Sequence, residues 1–364
     1  MVGLAARNHQ GPLHAFTITF DHEEYNEDKV AKEMALRAGA EFCPVLARSD
    51  ELADHFSDAI AHAESLVVNT HSVAKYILSR AVRDAGFKVV LTGEGSDEIL
   101  AGYMHFRRDI SSTRGVDSVS TAKTERSGQN EEHCSAPFDK EYSLSRARKL
   151  LGFVPNWMEN ACEVCTATRA VQSDQFLAGG KDRDGFRNVL CDPGFPGQLE
   201  GRHPLHQSLY LWSKTMLPNY LLTVLGDRME MANSVEGRLP FLDHHVVELA
   251  RSLPINQKIR GFTHKYILRQ TMRDVVTEAA FRGRKRPFWS PPASLNPAGR
   301  FNAMMQDLLR GPILRSMPFF DQAKVVRVLD GLPKKEEMAD VVSEQVLMIV
   351  LSACVLQDRF RIAA

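Results

Sequence analysis

The segment Gly93-Glu94-Gly95-Ser96-Asp97-Glu98 sets two glycines, a hydroxyl and three carboxylates directly behind the β-branched run Val89-Val90-Leu91-Thr92. Glycines there permit a tight turn and close approach of backbone amides. Thr92, Gly93, Gly95 and Ser96 therefore read as the walls of an anion-binding concavity at the start of a helix. Carboxylates beside a phosphate would repel it unless a cation lies between them. Asp97 is thus a candidate magnesium ligand, and Glu94 a candidate for handling a nitrogen nucleophile or its proton. The same residues also suit a capped turn, in which Ser96 and Asp97 only serve the helix N-terminus.

Other groups carry weaker signals. Asp227, Arg228, Glu236 and Arg238 lie at high charge density in an otherwise apolar stretch. That suggests buried or cleft-lining ion pairs, Glu236 with Arg238 and Asp227 with Arg228. Cys162-x-x-Cys165 is the close pair among six cysteines (43, 134, 162, 165, 191 and 354). A structural zinc would need two further ligands, such as His203 or Cys191, and two reduced thiols on adjacent helix turns are the simpler reading. The basic cluster Arg282-Gly283-Arg284-Lys285-Arg286 lacks an aromatic ladder, so it reads as the flank of an anionic site or a solvated patch.

The elements that must position these groups follow from periodicity. Residues 15–20, 41–46 and 87–92 are β-rich runs, and 26–39, 50–63 and 73–85 carry helical spacing of apolar residues. Such alternation predicts an α/β layer, a parallel sheet flanked by helices, over residues 1–106. Residues 107–140 hold almost nothing to bury and read as a flexible linker or insertion. A glycine- and proline-rich stretch, 179–204, is also irregular. From 141 to 364 the pattern is mainly helical, with expected helices at 205–225, 242–253, 264–280, 301–309, 323–332 and 335–360.

With 44% hydrophobic and 25% charged residues the 364-residue chain has a globular composition. Its 45 basic residues are balanced by 45 acidic ones, which argues against a broad nucleic-acid-binding face. The longest apolar run, near 341–356, is interrupted by polar residues, so no membrane span is expected. No signal peptide is expected either, and the scattered cysteines point to a reducing, cytoplasmic setting.

Residues 89–103, VVLTGEGSDEILAGY, resemble the second signature of the asparagine synthetase family. Asp227-Arg228, Met231-Ala232, Val235-Glu236-Gly237-Arg238 and Pro240-Phe241-Leu242-Asp243 resemble its hallmark, and Lys265-Tyr266-Ile267-Leu268-Arg269 resembles its Lys-x-x-Leu-Arg helix. The resemblance implies a Rossmann-like, adenine-nucleotide alpha-hydrolase-like fold. It also implies an ATP-dependent amide ligase of asparagine biosynthesis. In that chemistry the carboxylate of aspartate attacks the α-phosphorus, pyrophosphate leaves, and ammonia attacks the acyl adenylate. By motif, Asp97 would share a magnesium ion, Glu94 would assist the adenylate and amination steps, and Lys265 would steady pyrophosphate. Thr92, Gly93, Gly95 and Ser96 would shape the pocket. Glu64 aligns with an acidic family position, while Asp227, Glu236 and Arg238 would build walls, Arg238 near aspartate.

The chain departs from the family pattern in several places. Its first residues look like the helix that follows the family's Ser-Gly-Gly-x-Asp-Ser phosphate loop, so that loop, the first strand and the glutaminase domain are expected to be absent. Thr70, Ser72, Val73 and Ala74 replace a stretch the family uses near substrate. Three readings stay open: a ligase, of aspartate or another carboxylate, alone or with a separate subunit supplying ammonia or the loop; a non-catalytic homologue or subunit; or a piece of a longer protein.

Overall fold

The computed structural model describes residues 1–113, 140–179, 189–190, 194–283, 288–292, 295–332 and 341–362. Helix α1 (Val2–Asn8) leads into β1 (His14–Phe20), which pairs in parallel with β2 (Glu41–Ala47), His14 standing opposite Glu41 and Phe20 opposite Ala47. Helix α2 (Asp28–Ala38) makes the crossover and stops at Gly39, whose left-handed φ of 67° returns its amide to the carbonyls of Ala35 and Leu36. In α3 (Ser49–Ala63) the buried residues Leu52, Phe56, Ala59, Ile60 and Ala63 recur every three or four positions, forming the stripe that faces the core. Helix α4 (His71–Asp84) then runs to β3 (Val89–Leu91).

In place of the one parallel sheet expected, the described residues hold two separate two-stranded parallel pairs. β3 pairs in parallel not with β1 but with β4 (Glu236–Arg238), from the far half of the chain. Among the described residues no ladder joins β1–β2 to β3–β4. Side chains make that contact instead: the Phe87 ring lies 4.8 Å from His14 and 5.7 Å from Phe16, centroid to centroid.

The second half is helical, as its pattern predicts, with breaks that periodicity hides. The expected helix at 205–225 is two elements, Pro204–Lys214 and Leu217–Asp227, the second wound with i→i+5 turns. The one expected at 264–280 divides into Tyr266–Thr271 and Glu278–Arg282, and Thr277 caps the latter by accepting the Ala280 N–H at 3.3 Å. Helix α5 (Ser96–Ile99) is a single turn. Helix α6 (Met104–Thr113) takes in the start of the expected linker, the rest of which, 114–139, lies outside the described residues. Much of the glycine-rich stretch also lies outside them, but Gly194–Leu199 is helical.

The main core draws on both halves of the chain. Phe56 meets Phe301 edge-on at 5.4 Å, and Ile60, Val67 and Met229 share a buried cluster with Met305, Leu347, Val350 and Leu351. The last helix, Val341–Phe360, is long and apolar enough by composition to cross a membrane. Here Val346, Leu347, Val350, Leu351 and Cys354 are buried in this cluster, and Ser352 Oγ accepts the Val67 N–H at 3.2 Å. A smaller cluster of Ala101, Phe106, Leu205 and Ile259 lies under the segment that follows β3.

Candidate functional site

Pairing with β4 fixes where the glycine-acid loop begins: Thr92 donates its N–H to the Arg238 carbonyl at 3.0 Å. Gly95 has a φ of 91° and is packed so closely that a Cβ would lie 2.5 Å from Leu242, so the turn needs glycine on both counts. The helix behind it has only one turn, too short for the anion-binding N-terminus that the pattern suggests. Two lysine–carboxylate pairs form there instead.

The first joins Glu94 to Lys75 of α4 at 2.8 Å, each side chain 23% exposed. Thr92 Oγ1 also donates to Glu94 at 3.4 Å, and the Phe288 ring centroid lies 5.9 Å from the Lys75 ammonium. Two more carboxylates adjoin this pair. Burial, and then the charge of Glu94, push the Glu230 carboxyl up to about 7, with Asp227 adding to the effect. Glu230 fits because residue 237 is glycine; a Cβ there would stand 1.9 Å from its carboxylate.

The second pair joins Asp97 to Lys265 at 2.8 Å, with exposures of 13% and 18%. Lys265 follows the short antiparallel pair β5 (Ile259–Arg260) and β6 (Thr263–His264) and sits at φ 50°, a left-handed conformation uncommon outside glycine. Gly102 leaves room for the carboxylate: its N–H donates to the Asp97 carbonyl at 2.8 Å, and a Cβ would fall 1.7 Å from Oδ1. Beside it the Tyr103 hydroxyl donates to buried Glu98 at 2.5 Å, and burial followed by that carboxylate raises the phenol's pKa, keeping its proton on.

The N-terminal turn of α4 borders a cavity of about 250 Å³, lined in part by Tyr25, Asn69, Thr70, Trp289, Ser290 and Met348. Thr70 Oγ1 and Ser72 Oγ are buried without a hydrogen-bond partner among the described residues. Between them His71 is 5% exposed and bonds Tyr220 Oη at 2.6 Å; burial pushes its pKa down to about 4, so the ring is neutral at physiological pH.

Other sequence-level candidates fare differently. Glu236 and Arg238 do pair, at 2.8 Å, but both are 59% exposed, on the outward face of β4, rather than buried. Asp227 does not pair with Arg228. The arginine reaches Glu64 at 2.7 Å, and Glu64 itself closes α3 at φ 47°. His203 Nδ1 accepts the Leu205 N–H at 3.1 Å and caps a helix. Cys191 and residues 284–287 lie outside the described residues. Lys75 and Glu230 were not legible as site residues: each is one charge on an ordinary helix, and its partner comes from a distant segment.

Asp97 and Glu94 are hard oxygen donors of the kind magnesium accepts, since that ion uses one or two carboxylates and completes its shell with phosphate oxygens and water. The cradle at Gly102 and the nearby ammonium groups suit a magnesium–polyphosphate. Comparisons with known proteins agree with the sequence resemblance. The profile of the family described as asparagine synthase matches residues 1–353. Amidase chyE of Penicillium rubens is 29% identical over 327 residues, covering 85% of this chain and 48% of its own length. Amidase chry2 of Gibberella zeae is 25% identical, over 89% of this chain and 50% of its own length. A glutamine-hydrolysing asparagine synthetase of Bacillus subtilis is 24% identical, over 79% and 44%. The chain spans about half the length of these curated relatives.

Proposed function

The chain belongs to the asparagine synthase family, and on that premise we propose that it is an ATP-dependent amide ligase acting on aspartate or a related carboxylate. The observation that carries this reading is the Asp97–Lys265 pair, which joins two motif residues 168 positions apart (265 − 97) in one largely buried contact. A magnesium ion held by Asp97 would offset the charge that develops on the departing pyrophosphate. Asp97 would hold that ion and Lys265 would contact the phosphate oxygens. The walls of the loop, Thr92, Gly93, Gly95 and Ser96, hold the carboxylate against the α-phosphorus; the new P–O bond forms as the bond to pyrophosphate breaks. Glu94, oriented by Lys75, then takes a proton from ammonia as its nitrogen bonds the acyl carbon and AMP departs. Asp227 and Glu230 lie beside this corner, and Glu230, raised to about 7, keeps its charge low near neutral pH. Glu64, Glu236 and Arg238 are further candidates for substrate contact.

Two of the relatives bear the name amidase, which supports leaving the carboxylate open. Ammonia would come from solution or from a separate subunit. ATP–pyrophosphate exchange tests the reading, with magnesium and aspartate, beside Asp97→Ala and Lys265→Ala variants. Exchange that both variants lose is the expected result. No exchange from the parent chain with any of a panel of amino-acid carboxylates, and no ATP binding, would overturn it in favour of a non-catalytic homologue.

A further inference from the structure

A separate group of side chains sits at the opposite end of the strands. Phe87, which precedes β3, packs against His14, whereas Glu94 and Asp97 follow β3, so the length of the strand separates the two places. His14 opens β1 and Glu41 opens β2, and the parallel register sets them side by side. Cys43 lies two residues beyond Glu41, on the same face of β2. His14 Nδ1 is 3.3 Å from Glu41 Oε2 and 3.8 Å from Cys43 Sγ. One donor atom from each of the three residues falls within 4.8 Å of the other two.

These spacings match a coordination shell. Tetrahedral zinc, with bonds of about 2.0–2.1 Å to nitrogen and oxygen and about 2.3 Å to sulfur, separates an N and an O ligand by roughly 3.3 Å and an N and an S ligand by roughly 3.6 Å. The two distances from His14 Nδ1 lie within a few tenths of an ångström of these values, and the third, between Glu41 and Cys43, is within 4.8 Å. The imidazole plane is already fixed, stacked with Phe16 at 6.4 Å between centroids and packed against Phe87 at 4.8 Å. A simple His14–Glu41 ion pair would account for two of the groups, but it gives no reason for the thiol to face the imidazole nitrogen.

We propose that His14, Glu41 and Cys43 form a binding site for a divalent transition metal, zinc foremost, with a fourth position open to water or a small ligand. The thiolate selects zinc or cobalt over magnesium, so this site and the oxygen donors of Asp97 take different ions. Binding replaces the thiol proton of Cys43 by the metal and releases that proton to solvent. The ion ties the beginnings of β1 and β2 together, where the backbone ladder starts.

Cobalt titration of the chelator-treated full chain tests the site. The expected result is a near-ultraviolet cobalt–thiolate charge-transfer band with the visible bands of a tetrahedral ion, saturating at one ion per chain. Cys43→Ser should abolish the charge-transfer band, and His14→Ala should weaken cobalt and zinc binding about 10-fold or more. A Cys162→Ser/Cys165→Ser double variant should keep it. Zinc should raise the melting temperature of the parent chain but not of Cys43→Ser, a near-isosteric change. The proposal is overturned if no thiolate band forms, if the band survives Cys43→Ser, or if it disappears in the double variant.

Discussion

Glu94 and Asp97 lie three residues apart, yet each is paired with a lysine that reaches it from another part of the chain. The carboxylates were legible because their glycines mark a special turn. Lys75 was not, since nothing in its helix distinguishes it before α4 is docked. Adjacent charges also mislead in a predictable way. Glu236 and Arg238 alternate along a strand and so share a face, whereas Asp227 and Arg228 are consecutive in a helix and point well apart. Gly102→Ala should drive Asp97 from its seat, because the new methyl would fall 1.7 Å from Oδ1. Displacement on that scale is expected to slow ATP–pyrophosphate exchange about 100-fold with little change in melting temperature, which paired kinetic and thermal assays would check. Glu230 makes a pH prediction. Its folded-state value of about 7 lies above the ordinary 4.5, so the folded chain binds the extra proton between those values. Stability should therefore fall as pH rises from about 4.5 to about 7 and then level off. Glu230→Gln should remove that slope and stabilise the chain above pH 7 by about 1–2 kcal/mol after allowance for solvent screening, as urea titrations at several pH values would report.

At the scale of elements, α4 matters most, because its N-cap Thr70 lines the cavity and Lys75 follows about one turn further on. Its placement depends on a buried polar knot that no periodicity argument finds. Asn233 donates to Ser79 Oγ at 2.8 Å and to the Tyr76 and Met229 carbonyls at 3.2 and 3.3 Å, and Ser79 Oγ donates to Met229 at 2.7 Å. Asn233→Ala removes these donated bonds and the Oδ1 that accepts from Arg83, and should cost about 1–2 kcal/mol in denaturant unfolding. If α4 then loosens, exchange activity should fall as well. Strand and helix identities in the first ninety or so residues were readable because each amphipathic stripe faces one core. The division into two parallel pairs was not readable. β3 is three residues long, and its partner, β4, is another three-residue segment far along the chain.

For the molecule as a whole, composition and alternation led to an α/β layer followed by helices, and that order holds in outline. The expectation of a unit ending near residue 106 says nothing of how the main core is filled. Phe56 and Ile60 on α3 pack with Phe301, Leu347 and Val350, so that helix completes its burial only against late sequence. Deleting residues 341–364 should therefore do more than shorten the chain. It would uncover the stripe on α3 along with Val67, and we expect loss of the cooperative unfolding transition and strong dye binding to the exposed apolar surface, measured by calorimetry and fluorescence. The same packing has a consequence during synthesis. The ribosome releases α3, with β1 and β2 before it, long before residues 346–355 exist, leaving Phe56 and Ile60 without these later neighbours while the intervening chain is made. Contacts across nearly three hundred positions make folding slow, and the nascent chain carries a sticky half-core throughout. Yield in a cell should then depend on how well chaperones shield α3 until the last helix emerges.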